Sequence, residues 1–318
     1  MPGTRAAKPK SGWSSVGSVA KYLVSIGLVG LLFWQFRDGL SQIARIERDD
    51  ALFATALLLF QPVLIGLRWH VLLGLYGTRF SKRAAVGITW FSVAANQILP
   101  ASVGGDAIRM FALSRHGETA TIAIGSVVLD RIFALVALIL IMAAFSPFID
   151  VDLPAWVIAF FVAGAAGLCI GLVVARKVLP GLTARMSEGW IRTFLSKVND
   201  LLVVLDYPVI ALSVLSISML IHALSLFAFL VLAQGLGIEA SPSAILAVGA
   251  LITFVQVIPI SISGWGPREA AAIFLLGSIG VAQDTAFAVS ILFGLCFLFA
   301  SLPGAGGLLY MGSGREEH

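Results

Sequence analysis

Charge is what this sequence has least of. Of its 318 residues only 12% are Asp, Glu, Lys or Arg, about half the share in an ordinary soluble domain. With 59% hydrophobic residues, that scarcity excludes a soluble globular protein and a disordered chain alike. Cysteine is nearly absent. Cys169 and Cys296 both lie inside apolar runs, so they read as small buried hydrophobes, and a disulfide scaffold is excluded. The four histidines (His70, His116, His222 and His318) are scattered, and without ligand spacing no metal site is expected. Walker A, dinucleotide, zinc and kinase signatures are all missing, as is any nucleophile–base constellation. The chain is therefore expected to have no catalytic residue and no cofactor, and ATP-driven transport by this chain alone is excluded.

What is present is a series of uncharged runs of bilayer-spanning length, with a mean hydropathy of +0.98. The runs are continuous rather than alternating, which points to helices and not to a β-barrel. The fold class is an all-α polytopic membrane protein. Arg5, Lys8, Lys10 and Lys21 precede the first run, 22–36, without any acid, so the N-terminus is placed in the cytoplasm. The second span, 51–73, ends at Arg68, Trp69 and His70. Trp69 is expected at the interface and Arg68 is expected to snorkel to it.

Residues 84–105 carry no charge and could span. If they do, the acidic turn Asp150/Asp152 falls inside and the basic loop 176–206 outside, against the charge rule. A re-entrant hairpin over 84–118 repairs both placements, and a second one over 243–282 completes the topology. The expected architecture is six full transmembrane helices plus two re-entrant hairpins, with eight plain spans as the alternative. It divides into a cytoplasmic tail 1–18, a first transmembrane repeat 19–175, a linker 176–206, a second repeat 207–310 and a tail 311–318. Ile191, Phe194, Leu195, Val198, Leu201, Leu202 and Leu205 recur with helical periodicity, so the linker reads as a cytoplasmic amphipathic helix.

An internal match supports two halves. Residues 97–109 read QILPASVGGDAIR and residues 256–268 read QVIPISISGWGPR. At a constant offset of 159, Gln97 pairs with Gln256, Pro100 with Pro259, Ser102 with Ser261, Gly105 with Gly264 and Arg109 with Arg268. The charge topology brings one copy in from each side of the membrane. Inverted repeats of this kind occur in transporters, with the site at the midplane, and also in channels.

The chemistry of the match is that of a broken helix. Pro100 and Pro259 end a helix, Gly104, Gly105, Gly264 and Gly266 supply the break, and Pro267 fits a first helical position with Glu269 in the third. A helix start beside an arginine suits a phosphate or carboxylate. The candidate substrate-binding set is Arg109, Arg268, Asp106, Glu269, Gln97, Gln256, Asn96, Ser102, Ser261, Asp130 and Arg131. Asp130 and Arg131 lie near mid-bilayer, where a charge costs about 2.5–3.5 kcal/mol. They read equally as a neutralising structural pair with Asp106 or Arg109 and as part of an anion site. His222 reads as a helix-packing residue.

At these residues the sequence resembles a known family. NQILPASVGGDAIRMFAL, SVVLDRIFAL and PISISGWGPREAAAIFLLGSIG are similar to the flippase-like transmembrane domain of lysylphosphatidylglycerol synthases, over roughly residues 20–310. The resemblance rests on Gly104, Gly105, Asp106 and Arg109, on Asp130 and Arg131, and on Gly264, Gly266, Arg268 and Glu269. It implies lipid translocation in a bacterial inner membrane, with membrane lipids and lipid-modifying or glycosyltransferase enzymes as partners and no nucleic acid. Aminoacyl transfer in that family belongs to a soluble C-terminal domain. This chain ends at His318 without one, so lysyl-lipid synthesis is not expected of it. The expected function is a flippase for an anionic or lipid-linked substrate. The alternatives are a membrane-embedded enzyme or enzyme subunit for lipid modification, and a small-anion transporter.

Overall fold

All regular secondary structure among the described residues is helical, because inside a bilayer the backbone has to satisfy its own hydrogen bonds. The computed structural model describes residues 27, 30–32, 34–36, 41–97, 104–145, 155–257 and 263–307, with backbone alone at 155–158, 160–162 and 305–307. In chain order the helices are α1 (Arg48–Leu75), α2 (Lys82–Asn96), α3 (Gly104–Arg115), α4 (Ala120–Phe145) and α5 (Ala155–Arg185). They continue with α6 (Trp190–Leu202), α7 (Pro208–Gly235), α8 (Pro242–Val257), α9 (Pro267–Gly277) and α10 (Gln283–Ser301). Ahead of α1, Leu32 and Phe36 pack against Phe287 and Ile291 of α10.

Five segments among the described residues are long and apolar enough to cross a membrane: α1, α4, Ala163–Arg185 of α5, α7 and Gln283–Gly304. The four helices α2, α3, α8 and α9 have only 15, 12, 16 and 11 residues. At about 1.5 Å per residue the longest reaches about 24 Å, short of the ~30 Å hydrocarbon core. They pack in consecutive pairs, α2 on α3 and α8 on α9. Eight plain spans would need one helix through 84–105. Instead α2 stops at Asn96 and α3 starts afresh at Gly104, which is the geometry of a hairpin.

The order long, short, short, long occurs twice, and it repeats down to the caps. Gly77 ends α1 at φ 67° and Gly237 ends α7 at φ 77°. Glycine enters this left-handed region at no steric cost. The Ser81 hydroxyl accepts from Ala84 N at the start of α2, and the Ser241 hydroxyl accepts from Ala244 N at the start of α8. Gly117 and Gly280, both at φ 84°, close α3 and α9. The packing obeys the same exchange. α1 packs on its counterpart α7, α4 packs on α7 as α10 packs on α1, and α8 packs on α4 as α2 packs on α10.

These caps fix the true register of the repeat. Ser81 and Ser241 are 160 residues apart, whereas Gly117 and Gly280 are 163 apart. From its serine cap to its closing glycine, the second hairpin is therefore three residues longer than the first. The constant offset of 159 is therefore corrected. Asn96 corresponds to Gln256, and Asp106 to Glu269. Arg109 corresponds to Ala272, and Arg268 to Gly105. The two arginines are not equivalent positions.

One expectation about the flanks also changes. α5 continues to Arg185, ten residues past the expected span end at 175, because Arg176 gains partners there. Its guanidinium donates to Asn199 Oδ1 at 2.6 Å and to the Asp206 carboxylate. α6 forms where the amphipathic pattern placed it, with Trp190, Ile191 and Phe194 exposed.

Candidate functional site

α1, α3 and α4 each bring buried charge to one point. Arg68 on α1 donates from Nε to Asp130 Oδ1 on α4 at 2.7 Å. Arg109 on α3 donates from Nη1 to Asp130 Oδ2 at 3.0 Å and from Nη2 to Asp106 Oδ1 at 2.6 Å. Asp106 and Arg109 sit three apart, so one helix face presents both. Arg131 on α4 reaches Asp106 with Nε to Oδ2 and Nη2 to Oδ1, both at 3.0 Å. The side chains of Arg68, Asp130 and Arg109 are at most 4% exposed, while that of Arg131 is 51% exposed. Charges buried this deeply persist only when paired and hydrogen-bonded. Here three guanidiniums share two carboxylates, a surplus of one positive charge. Ser218 on α7 accepts from Arg68 Nη1 at 2.9 Å, and the Arg109 guanidinium lies 5.4 Å from the Trp69 ring.

All five charged residues line a cavity of about 460 Å³ between the two halves, within the range of about 300–1,000 Å³ usual for small-molecule sites. Its remaining polar wall includes Gln61, Thr89, Asn96, Gln97, Ser225 and Gln256, and its apolar wall includes Phe293 and Phe297. Gln61 Nε2 donates to Ser225 Oγ at 2.7 Å, tying α1 to α7.

The hairpin connections meet at this cavity. Asn96 Oδ1 accepts from Gly105 N at 2.7 Å, and Gln256 Nε2 donates to Ser263 O at 3.2 Å. The two equivalent amides thus perform the same task, each bracing the return of its own hairpin. Gly105 and Gly264 are glycines for a steric reason: a Cβ on the first would overlap Ser92 O and the Asn96 amide, and one on the second the Gln256 side chain. Ser263 Oγ donates to Gln97 Oε1 at 3.0 Å, so one hairpin touches the other.

Arg268 and Glu269 are not among the residues that line the cavity. Glu269 Oε1 accepts from Arg268 Nε at 2.9 Å and Nη2 at 2.6 Å, and Oε2 accepts from Gly266 N at 2.6 Å. Ser290 donates to the same carboxylate, and the Arg268 guanidinium lies 4.5 Å from the Trp265 ring. Both side chains are almost wholly buried. They hold the start of α9, with Pro267 in the first position and Glu269 in the third as the sequence predicts.

Of the other expected residues, Gly104 opens α3 and His222 Nε2 pairs with Ala134 O at 2.9 Å. Ser102, Ser261, Pro100 and Pro259 lie outside the described residues. Arg68 and Trp69 are turned into the protein rather than toward its outer surface. Both are buried, with the Trp69 indole N–H donating to Ser126 Oγ at 3.2 Å. The sequence pattern assigned Arg68 to the interface and did not single out Gln61, Thr89 or Ser225. Gln61 carried a usable signal, a polar amide in the middle of an apolar run.

The family described as Lysylphosphatidylglycerol synthase TM region matches residues 18–304 of the chain. No curated protein matches it.

Proposed function

The chain belongs to the lysylphosphatidylglycerol synthase TM-region family, and on that premise we propose that this multi-pass membrane protein is a flippase that moves an anionic lipid headgroup across a bacterial inner membrane. The observation that carries the reading is the surplus positive charge on the wall of a cavity enclosed by both hairpins. A phosphate drawn into that cavity meets Arg131 first, since its guanidinium is the most exposed of the three. Arg109 and Arg68 lie behind it and supply a fixed positive field. Asp106 holds Arg131 in place and releases part of that grip when an anion enters. Arg268 and Glu269 act at a distance by holding the second hairpin.

The N-terminus is cytoplasmic in this reading. One additional span, α5, separates the two four-helix units, so the hairpins enter from opposite faces. Their contact at Gln97 and Ser263 closes the cavity on one side, and opening it exposes the headgroup to the other. Movement of a fluorescent anionic lipid in proteoliposomes tests the proposal. Arg131→Ala and Arg109→Gln are expected to slow it at least tenfold. Wild-type rates in variants that fold normally would sink it.

A further inference from the structure

The cavity is particular about charge and about hydrogen-bonding partners, and both point to the same ligand. Every charged residue on its described wall belongs to the Arg68–Asp130–Arg109–Asp106–Arg131 network. A single negative charge neutralises that network. A zwitterion leaves the surplus in place, and a cation adds to it in a low-dielectric site where such terms are large. The carboxylates offer an ammonium nothing, because each of their four oxygens already accepts from a guanidinium: Asp130 from Arg68 and Arg109, Asp106 from Arg109 and Arg131.

The second observation is independent of charge. Thr89 on α2 lines the same cavity, is 1% exposed, and its Oγ1 has no hydrogen-bond partner among the described residues. A buried hydroxyl left in that state is costly. The same cavity is lined by neutral amides and hydroxyls, Gln61, Ser92, Asn96, Gln97 and Ser225. Groups of this kind exchange hydrogen bonds with hydroxyls and do not select for charge.

We propose that the cavity recognises a monoanionic phosphodiester headgroup bearing neutral hydroxyl groups, with Arg131 on the phosphate in the field of Arg109 and Arg68 and with Thr89 on a hydroxyl, and that it rejects a cationic aminoacylated headgroup. The inference rests on the site of the transport reading above but names its ligand. It also separates this chain from the lysyl-lipid that the family description carries. A phosphodiester keeps one negative charge at every physiological pH. A free phosphate, with a second proton lost near pH 6 in the manner of phosphate monoesters, does not.

The experiment measures binding to the purified full chain by native mass spectrometry. The probes are phosphatidylglycerol, phosphatidylethanol (monoanionic without a headgroup hydroxyl), phosphatidylcholine and lysyl-phosphatidylglycerol. Phosphatidylglycerol is expected to bind tightest, phosphatidylethanol next, and the other two least. Thr89→Val is expected to weaken phosphatidylglycerol about fivefold, to the level of phosphatidylethanol, without changing phosphatidylethanol itself. Thr89→Ser keeps the hydroxyl and retains the preference. Equal binding of lysyl-phosphatidylglycerol or phosphatidylcholine overturns the proposal, as does a preference that survives Thr89→Val. Displacement by glycerophosphoglycerol supports recognition of the headgroup, whereas equal displacement by inorganic phosphate makes the free anion the ligand and overturns it. Binding is read without transport. Selective binding by a protein that moves no lipid removes the flippase reading and leaves this one, and unselective lipid movement does the reverse.

Discussion

The Arg268 guanidinium lies in the space that a side chain at Gly294 would need, since a Cβ built there would overlap it. Gly294 is the twelfth residue of α10, and the twelfth residue of α4 is Arg131. Each half therefore sets a guanidinium against the acid at the third position of its second hairpin helix, Asp106 or Glu269. The first half supplies it from the long helix, where it faces the cavity. The second half supplies it from the hairpin helix itself, where Trp265 and Ser290 seal it. The pair is half-exposed in one half, where the Arg131 side chain is 51% exposed, and sealed in the other.

Gly294→Ala is expected to destabilise the protein by about 1–3 kcal/mol, because a methyl group displaces a buried, paired guanidinium. Gly167→Ala on α5 meets open space and is expected to be neutral or slightly stabilising. Thermal unfolding in detergent compares the two. Equal effects would show that the close approach at Gly294 carries no weight.

Asp130→Asn leaves Arg68 and Arg109 without their shared carboxylate. Breaking a buried pair costs about 3–5 kcal/mol, so this variant is expected to fold poorly or to lose about 4–8 °C in Tm, the shift such a free energy produces in a chain of this length. Arg131→Gln, at a half-exposed position, is expected to keep most of the stability and to lose anion binding. The pair of measurements separates holding the site together from binding with it.

Acid is expected to loosen the junction between α5 and α7. The hydrogen bonds from Arg176 hold the exposed Asp206 carboxyl below the ordinary carboxylate range. A depressed folded value means that the contribution is full at neutral pH and above, and is lost as pH falls through that folded value. Hydrogen exchange across 199–207 is expected to quicken below the ordinary carboxylate range, and Asp206→Asn is expected to show the faster exchange already at pH 7.

Arg79 and Glu239 occupy equivalent exposed turns ahead of the two hairpins. In a chain with Cys169 and Cys296 replaced, single cysteines at these two positions are expected to react with an impermeant maleimide from opposite sides of the membrane. Labelling from one side at both positions would place the hairpins parallel and end the inverted reading.

Much of this protein was legible in its residues. The scarcity of charge dictated a helical membrane protein. Period-independent apolar runs marked the spans. Glycine, proline and serine marked where helices start and stop, because those residues act locally through their own backbone geometry and hydrogen bonds. The pattern at 191–205 placed α6 for the same reason. The end of α2 at Asn96 and the start of α9 at Pro267 were visible too, and with them the neighbourhood of the site.

What only the tertiary structure decided was partnership. Arg68 and Asp130 are 62 residues apart in the chain, and no local pattern says which faces of α1 and α4 meet. Taken alone, Arg68 near the end of an apolar run reads as an interfacial residue. Three extra residues between the caps of the second hairpin shifted the register of the second half, so an ungapped comparison paired Arg109 with Arg268. Packing instead made the first a wall of the cavity and buried the second against Glu269. Propensities and caps are settled within a few residues, whereas the pairing of charges is settled by which surfaces the folded helices bring together across the bilayer.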